Sequence, residues 1–231
     1  MSETKLWIAL TSDCGRNAEE MAIPLKGLPV GVKIGLELFV KDGPSIVETF
    51  RGIGFPVFLD LKFHDIPYTV AGAVKAACQQ GPELINVHAS GGRAMMEAAA
   101  EACSSTTRII AVTVLTSMDT SDLKLLCSTG SPLSVVGNLA RAAMESGLHG
   151  VVCSPLEAAS VRAETSPEFL IVTPGVRPSG SAAMDQKRVM TPAEAIRAGA
   201  TSLVVGRPVT DDPDPASAAG RILEEIERAH S

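Results

Sequence analysis

The segment VFLDLKFHDIPYTVAGAVKAACQQGPELINVH, residues 57–88, carries the pattern on which the fold turns. It opens on a short apolar run, Val57–Leu61. A stretch of good helix formers, Val70–Gln80, follows, with Gly81 just past it where a left-handed residue closes a helix. A second apolar run, Leu84–His88, comes next. Strand, helix and strand within roughly thirty residues form one parallel crossover unit. The runs are near-continuous rather than strictly alternating, as strands covered on both faces require.

The same unit repeats outward in both directions. Further strands are predicted at Leu6–Leu10, Val32–Gly35, Ile109–Leu115, Gly150–Cys153, Phe169–Thr173 and Ser202–Val205. Helices are predicted at Ala18–Ile23, Ile46–Arg51, Ala94–Ala102, Pro132–Ser146, Pro155–Ala163, Pro192–Ala198 and Ala216–His230. Gly147 and Gly199 repeat the position of Gly81, past a helix and just before a strand. Eight strands alternating with helices over 231 residues predict an α/β fold, a (β/α)8 TIM barrel in a single domain spanning 1–231. A doubly wound open sheet is the alternative, but no G-x-G-x-x-G follows the first strand.

Composition narrows the function classes. The formal net charge is −6 and only eight residues are aromatic, so neither a basic face nor a base-stacking platform is available for nucleic-acid polymers. The core must be built mostly from Val, Ile, Leu, Ala and Met. Cys14, Cys78, Cys103, Cys127 and Cys153 are odd in number, with no C-x-x-C pair, and read as buried free thiols in a reducing compartment. The N-terminal stretch lacks a basic segment followed by a long apolar one, and no run approaches about 18 apolar residues. A cytoplasmic protein with no membrane contact is expected.

Chemistry in such a barrel belongs at the carboxyl ends of the strands. Strand alternation puts Asp60 and Lys62 on one face, while Leu59 and Leu61 take the other. Lys33 supplies a second cation on the neighbouring strand, so the set reads either as a catalytic array or as a structural ion pair. Arg177 follows strand seven, and Gly206 with Arg207 follows strand eight, the loops where barrels commonly hold phosphate. An ordinary turn with a solvated arginine is the bland reading of either loop. His64 and His88 read as hydrogen-bonded structural residues rather than as a base or a metal ligand.

Six segments, taken in order, resemble the orotidine 5'-phosphate decarboxylase family: FLDLKFHDIPYTVAGAV (58–74), NVHASGG (86–92), AVTVLTSM (111–118), GVVCSPLEA (150–158), VTPGVRPSGSAAMDQKRVMTP (172–192) and VVGRPVTDDPDP (204–215). The resemblance covers essentially the whole chain. It implies cofactor-independent conversion of orotidine 5'-monophosphate to uridine 5'-monophosphate and carbon dioxide. Lys33, Asp60, Lys62 and Asp65 match the family's charged array, and Lys62 matches the lysine that delivers a proton to C6 of the pyrimidine. Asp65, Ile66 and Thr69 match positions that reach the partner's site, implying a homodimer. Thr116 and Ser117 match the pyrimidine-facing segment, and Arg177, Gln186, Gly206 and Arg207 the phosphate side.

One position departs from the pattern. The family's first strand usually ends Ala-Leu-Asp, its aspartate holding a ribose hydroxyl, whereas here Thr11 follows Ala9 and Leu10. Thr11 or, after a local shift, Asp13 would take that role. No pyridoxal-type lysine site, thiamine motif or metal-ligand cluster is recognisable, so no cofactor is expected. Two other readings remain: a magnesium-dependent sugar-phosphate enzyme sharing D-x-K-x-x-D, and a nucleotide-binding protein without catalysis.

Overall fold

Parallel pairing runs strand by strand from the first, Leu6–Leu10, to the eighth, Ser202–Val205, and returns to the first, where Trp7 lies opposite Val204, so the sheet closes into a barrel. Closure excludes the open doubly wound sheet. The computed structural model describes residues 4–103, 106–125, 131–178 and 190–230. Its elements in chain order are β1 (Leu6–Leu10), α1 (Gly15–Ala22), β2 (Gly31–Ile34), α2 (Leu36–Asp42), α3 (Ser45–Ile53), β3 (Val57–Phe63), α4 (Pro67–Gln79), β4 (Leu84–His88) and α5 (Arg93–Ala102). There follow β5 (Arg108–Val112), α6 (Thr120–Leu125), α7 (Pro132–Glu145), β6 (Gly150–Val152), α8 (Ala158–Glu164), β7 (Leu170–Pro174), α9 (Pro192–Arg197), β8 (Ser202–Val205), α10 (Arg207–Thr210) and α11 (Pro215–His230).

The predicted strands are all present, with ends displaced by a few residues. β5 stops at Val112, so the residues after it are released to line the barrel mouth. The short helices α2, α6 and α10 had no counterpart in the sequence reading; each is at most seven residues long. Gly81, Gly147 and Gly199 do adopt positive φ, at 70°, 80° and 102°.

Alternation along the strands divides the core in two. Outward-facing residues such as Ile8, Val32, Leu59, Ile85, Ile109 and Leu203 pack against the helices. Inward-facing Trp7, Phe58, Leu84, Ile110, Leu170, Val172 and Val204 form a separate plug inside the barrel. Trp7 and Phe58 meet edge to face with ring centroids 5.7 Å apart. The chain's one tryptophan fits because its register partner is Gly31: a Cβ there would overlap the indole ring. Gly150 makes room for Leu170 in the same way. These two glycines serve close packing rather than a turn.

Above the plug the interior turns polar. Lys33 of β2, Asp60 and Lys62 of β3, and Asn86 of β4 continue the inward series toward the carboxyl ends. Here the β3–β4 ladder is irregular: Leu59 pairs with Ile85, but the next pair is Phe63 with Val87. Three β3 residues therefore confront Asn86 alone, and Lys62 has φ +52°, the one described non-glycine residue in the left-handed region. A strand bulge of this kind re-aims side chains beside a functional site.

The reading of the cysteines as uniformly free thiols needs correction. Cys78 near the end of α4 and Cys103 just after α5 form a disulfide, with Cα atoms 6.3 Å apart. The two helices run side by side, which brings their ends within bridging range across 25 residues of sequence. Cys14 and Cys153 are free, and Cys127 lies outside the described residues. Among the described residues, no helix is long and apolar enough to cross a membrane.

Candidate active site

A cavity of about 330 Å³ opens at the carboxyl ends of the strands. Ala9, Phe58, Val152 and Val204 form its apolar floor; Lys33, Asp60 and Lys62 stand on one side, Arg177 and Arg207 on the other. The strand order produces this division, because β2 and β3 are neighbours and β7 and β8 are neighbours across the barrel.

Asp60 is the centre of the first group. Its Oδ2 meets Lys33 Nζ at 2.8 Å and its Oδ1 meets Lys62 Nζ at 2.6 Å. The residue is only 8% exposed. Burial by itself would raise the carboxyl, but Lys33 and Lys62 outweigh it and hold the group down at about 2. The carboxylate is thus ionised at every physiological pH, and the pair of ammonium groups leaves the cluster with a surplus positive charge.

Asn86, fully buried, completes the cluster and was missed by the sequence reading. Its Nδ2 donates to Asp60 Oδ1 at 2.7 Å, and its Oδ1 accepts from the Lys62 backbone N–H at 2.7 Å. One signal for it exists in the sequence: a lone amide in the otherwise apolar Leu84–Val87 run, on the inward alternation.

On the opposite side, Arg177 is buried to 8% exposure and its Nε has no hydrogen-bond partner among the described residues. A buried guanidinium donor that the protein leaves unmet is a group prepared for an anion. Its backbone N–H donates to Met190 O at 3.0 Å, and Val176 bridges to Met190, which fixes the loop base. Gly206 precedes α10 and Arg207 begins it, both at the cavity wall.

The remaining predicted residues divide clearly. Thr11 and Thr116 line the cavity. Asp13 does not: it faces α1, where it accepts from Asn17 Nδ2 at 2.7 Å. Between the two candidates for the missing aspartate, the cavity holds Thr11. Ser117 does not line the cavity either, and Gln186 lies outside the described residues. Asp65, Ile66 and Thr69 are exposed and away from the cavity of their own chain; Asp65 Oδ1 accepts from the Ile66 N–H at 2.6 Å.

The two histidines near β3 and β4 stack with ring centroids 5.3 Å apart. His88 Nδ1 lies 2.6 Å from Ser90 Oγ. Burial, then the His64 ring and the Lys62 ammonium, push His88 below the usual histidine value. Among the described residues, no group of three His, Cys, Asp or Glu side chains is placed to hold a metal ion.

Comparison with known proteins places this geometry in a family. The model of the orotidine 5'-phosphate decarboxylase / HUMPS family matches residues 4–222. Orotidine 5'-phosphate decarboxylase of Chromohalobacter salexigens is 53% identical over 97% of this chain and 96% of its own. The enzyme of that name from Halorhodospira halophila is 50% identical over 97% of each chain. The crystal structure of orotidine 5'-phosphate decarboxylase from Lactobacillus acidophilus superposes with a TM-score of 0.87 at 33% identity, covering 97% of this chain and 99% of that one. With its barrel closed and its ionised Lys–Asp–Lys cluster set opposite two arginines, the chain belongs to the orotidine 5'-phosphate decarboxylase / HUMPS family.

Proposed function

We propose that this chain decarboxylates orotidine 5'-monophosphate to uridine 5'-monophosphate and carbon dioxide, the last step of de novo pyrimidine nucleotide synthesis, and needs no cofactor for it. The observation that carries the proposal is the Lys33–Asp60–Lys62 cluster at the wall of a cavity whose far side presents Arg177 and Arg207. The substrate phosphate sits against Arg177, Gly206 and Arg207, the ribose near Thr11 and Lys33, and the pyrimidine between Thr116 and Lys62.

The reaction breaks the bond from C6 to the carboxylate. Carbon dioxide departs, C6 keeps the electron pair, and the Lys62 ammonium donates a proton to it. Water then reprotonates the amine. The pyrimidine offers no conventional electron sink, so fixed positive charge must stabilise the carbanion as it forms, and preorganised charge of this kind is usually the largest catalytic contribution. Asp60 also faces the departing carboxylate. Two like charges about 4 Å apart at an effective dielectric near 20 repel by about 4 kcal/mol, or roughly three decades of rate. Enzymes commonly supply about 8–23 kcal/mol, so repulsion is the smaller effect and Lys62 and Lys33 carry the larger one.

The working unit is a homodimer in the cytoplasm. Ile66 and Tyr68 are 65% and 89% exposed at the start of α4, and Leu36 and Val40 on α2 are 55% and 79% exposed. These exposed apolar side chains suit a second copy of the chain, which brings its Asp65, Ile66 and Thr69 toward the Lys33–Lys62 cluster.

The decisive assay follows the loss of orotidylate absorbance, with and without EDTA. Turnover that ignores the chelator supports the proposal. Turnover abolished by EDTA and restored by magnesium would favour the metal-dependent sugar-phosphate chemistry instead. Tight uridylate binding without turnover would indicate a binding protein.

A further inference from the structure

We infer that Asn86 is a positioning residue that sets the orientation of the proton-donating Lys62; the inference rests on the role proposed above for Lys62 and Asp60. Its two hydrogen bonds leave no freedom in the side-chain amide. A backbone N–H can only donate and an ionised carboxylate can only accept, so Oδ1 must face Lys62 and Nδ2 must face Asp60. One side chain from β4 thereby grips both the root of the lysine and the oxygen, Asp60 Oδ1, that its ammonium approaches at 2.6 Å.

The grip matters because Lys62 adopts a backbone conformation that side-chain-bearing residues avoid. The ladder cannot hold it there, since regular pairing with β4 stops at Leu59 and resumes only at Phe63. The Asn86 carbonyl oxygen takes the place of the missing ladder acceptor. Without it, Lys62 is free to return to ordinary strand geometry, where its side chain leaves the direction of C6. Arg177, after β7, and Arg207, at the start of α10, take no part in this bond.

Two substitutions test the assignment, with Lys62→Ala as the reference. Asn86→Ala removes both bonds. Its kcat is expected to fall by about 10²-fold, the scale of a misplaced reacting group, and its melting temperature by several degrees because two buried partners are left unmet, while its uridylate Kd stays close to that of the unmodified protein. Asn86→Asp preserves size and the acceptor but donates to Asp60 only when protonated. The groups facing it are Asp60 and Lys62 of β3, Lys33 of β2 and His88 of its own strand. Two carboxyls at hydrogen-bond distance share a proton, so this variant is expected to be active at low pH and to lose kcat as pH rises, a limb absent from the unmodified enzyme.

Unchanged kcat in Asn86→Ala, or an unchanged pH profile in Asn86→Asp, overturns the inference. So does a loss of uridylate binding in step with activity in both, which would make Asn86 a packing residue only. Should Lys62→Ala itself turn over, the reading of the site fails, and that result is distinct from any of these.

Discussion

Lys33 reaches past its own register partner to meet Asp60. Across the β2–β3 seam it lies opposite Phe58, yet its ammonium pairs with Asp60 Oδ2 at 2.8 Å, two residues nearer the barrel mouth. Lys62 takes the other oxygen from the same strand. A carboxylate held from both sides spaces the two positive charges across its own width.

Removing the donor at one end of this arrangement should stop chemistry and leave binding. For Lys62→Ala, kcat is expected to drop by at least about 10³-fold, within the range for loss of a general acid. Uridylate titration calorimetry should give an affinity near that of the unmodified protein, because the arginines on the far side are untouched.

Arg207→Ala should behave in the opposite way. Losing one charge-assisted bond to phosphate costs about 1.5–3 kcal/mol, so KM for orotidylate should rise by roughly 10- to 150-fold. An unchanged KM would remove Arg207 from the phosphate site.

Acid should weaken the fold through Asp60. In the folded protein its carboxyl stays ionised down to about 2, against 3.8 in an unperturbed chain. The unfolded state therefore takes up the proton first, and the stabilisation, complete above the unfolded value, is lost as pH falls through the folded one. The difference corresponds to about 2 kcal/mol. Urea denaturation between pH 4.5 and 2 should show a shallower pH slope in Asp60→Asn than in the unmodified protein; equal slopes would contradict the assignment.

Gly31→Ala probes the plug. Its new methyl group overlaps the Trp7 ring, and overpacking of this kind typically costs about 1–3 kcal/mol, readable as a lower denaturation midpoint. A substitution at Gly27, where the Cβ position is open but φ is +90°, should be destabilising for backbone reasons alone.

Subunit mixing tests the proposal that two subunits share each site. Lys62→Ala and Asp65→Ala should each be inactive as pure proteins. Refolded together, they should recover about one quarter of full activity, since half of randomly paired dimers are mixed and each of those retains one complete site. No recovery would confine Asp65 to its own chain.

The barrel was readable from the sequence because each strand is buried on both faces and announces itself as an apolar run. Asp60 and Lys62 were readable for a related reason: charged residues at the end of such a run stand out, and alternation assigns them one direction. The left-handed backbone at Lys62 was not readable, because its cause is Asn86, 24 residues away on another strand. The Cys78–Cys103 bond is likewise a consequence of how α4 lies against α5, which no local spacing encodes. Helices α2, α6 and α10 escaped because fewer than two full turns leave too little periodicity to detect. Asp13 and Thr11 stayed ambiguous until the loop after β1 turned one toward α1 and the other into the cavity.

The tryptophan wedged beside Gly31 has a consequence for traffic. With Trp7, Phe58, Leu84 and Ile110 stopping the barrel from below, the cavity is a well whose doorway, among the described residues, lies at the carboxyl ends of the strands. Incoming orotidylate and outgoing uridylate must use that doorway in turn. A uridylate still seated in the well would shut out the next orotidylate, so product inhibition is expected to be competitive.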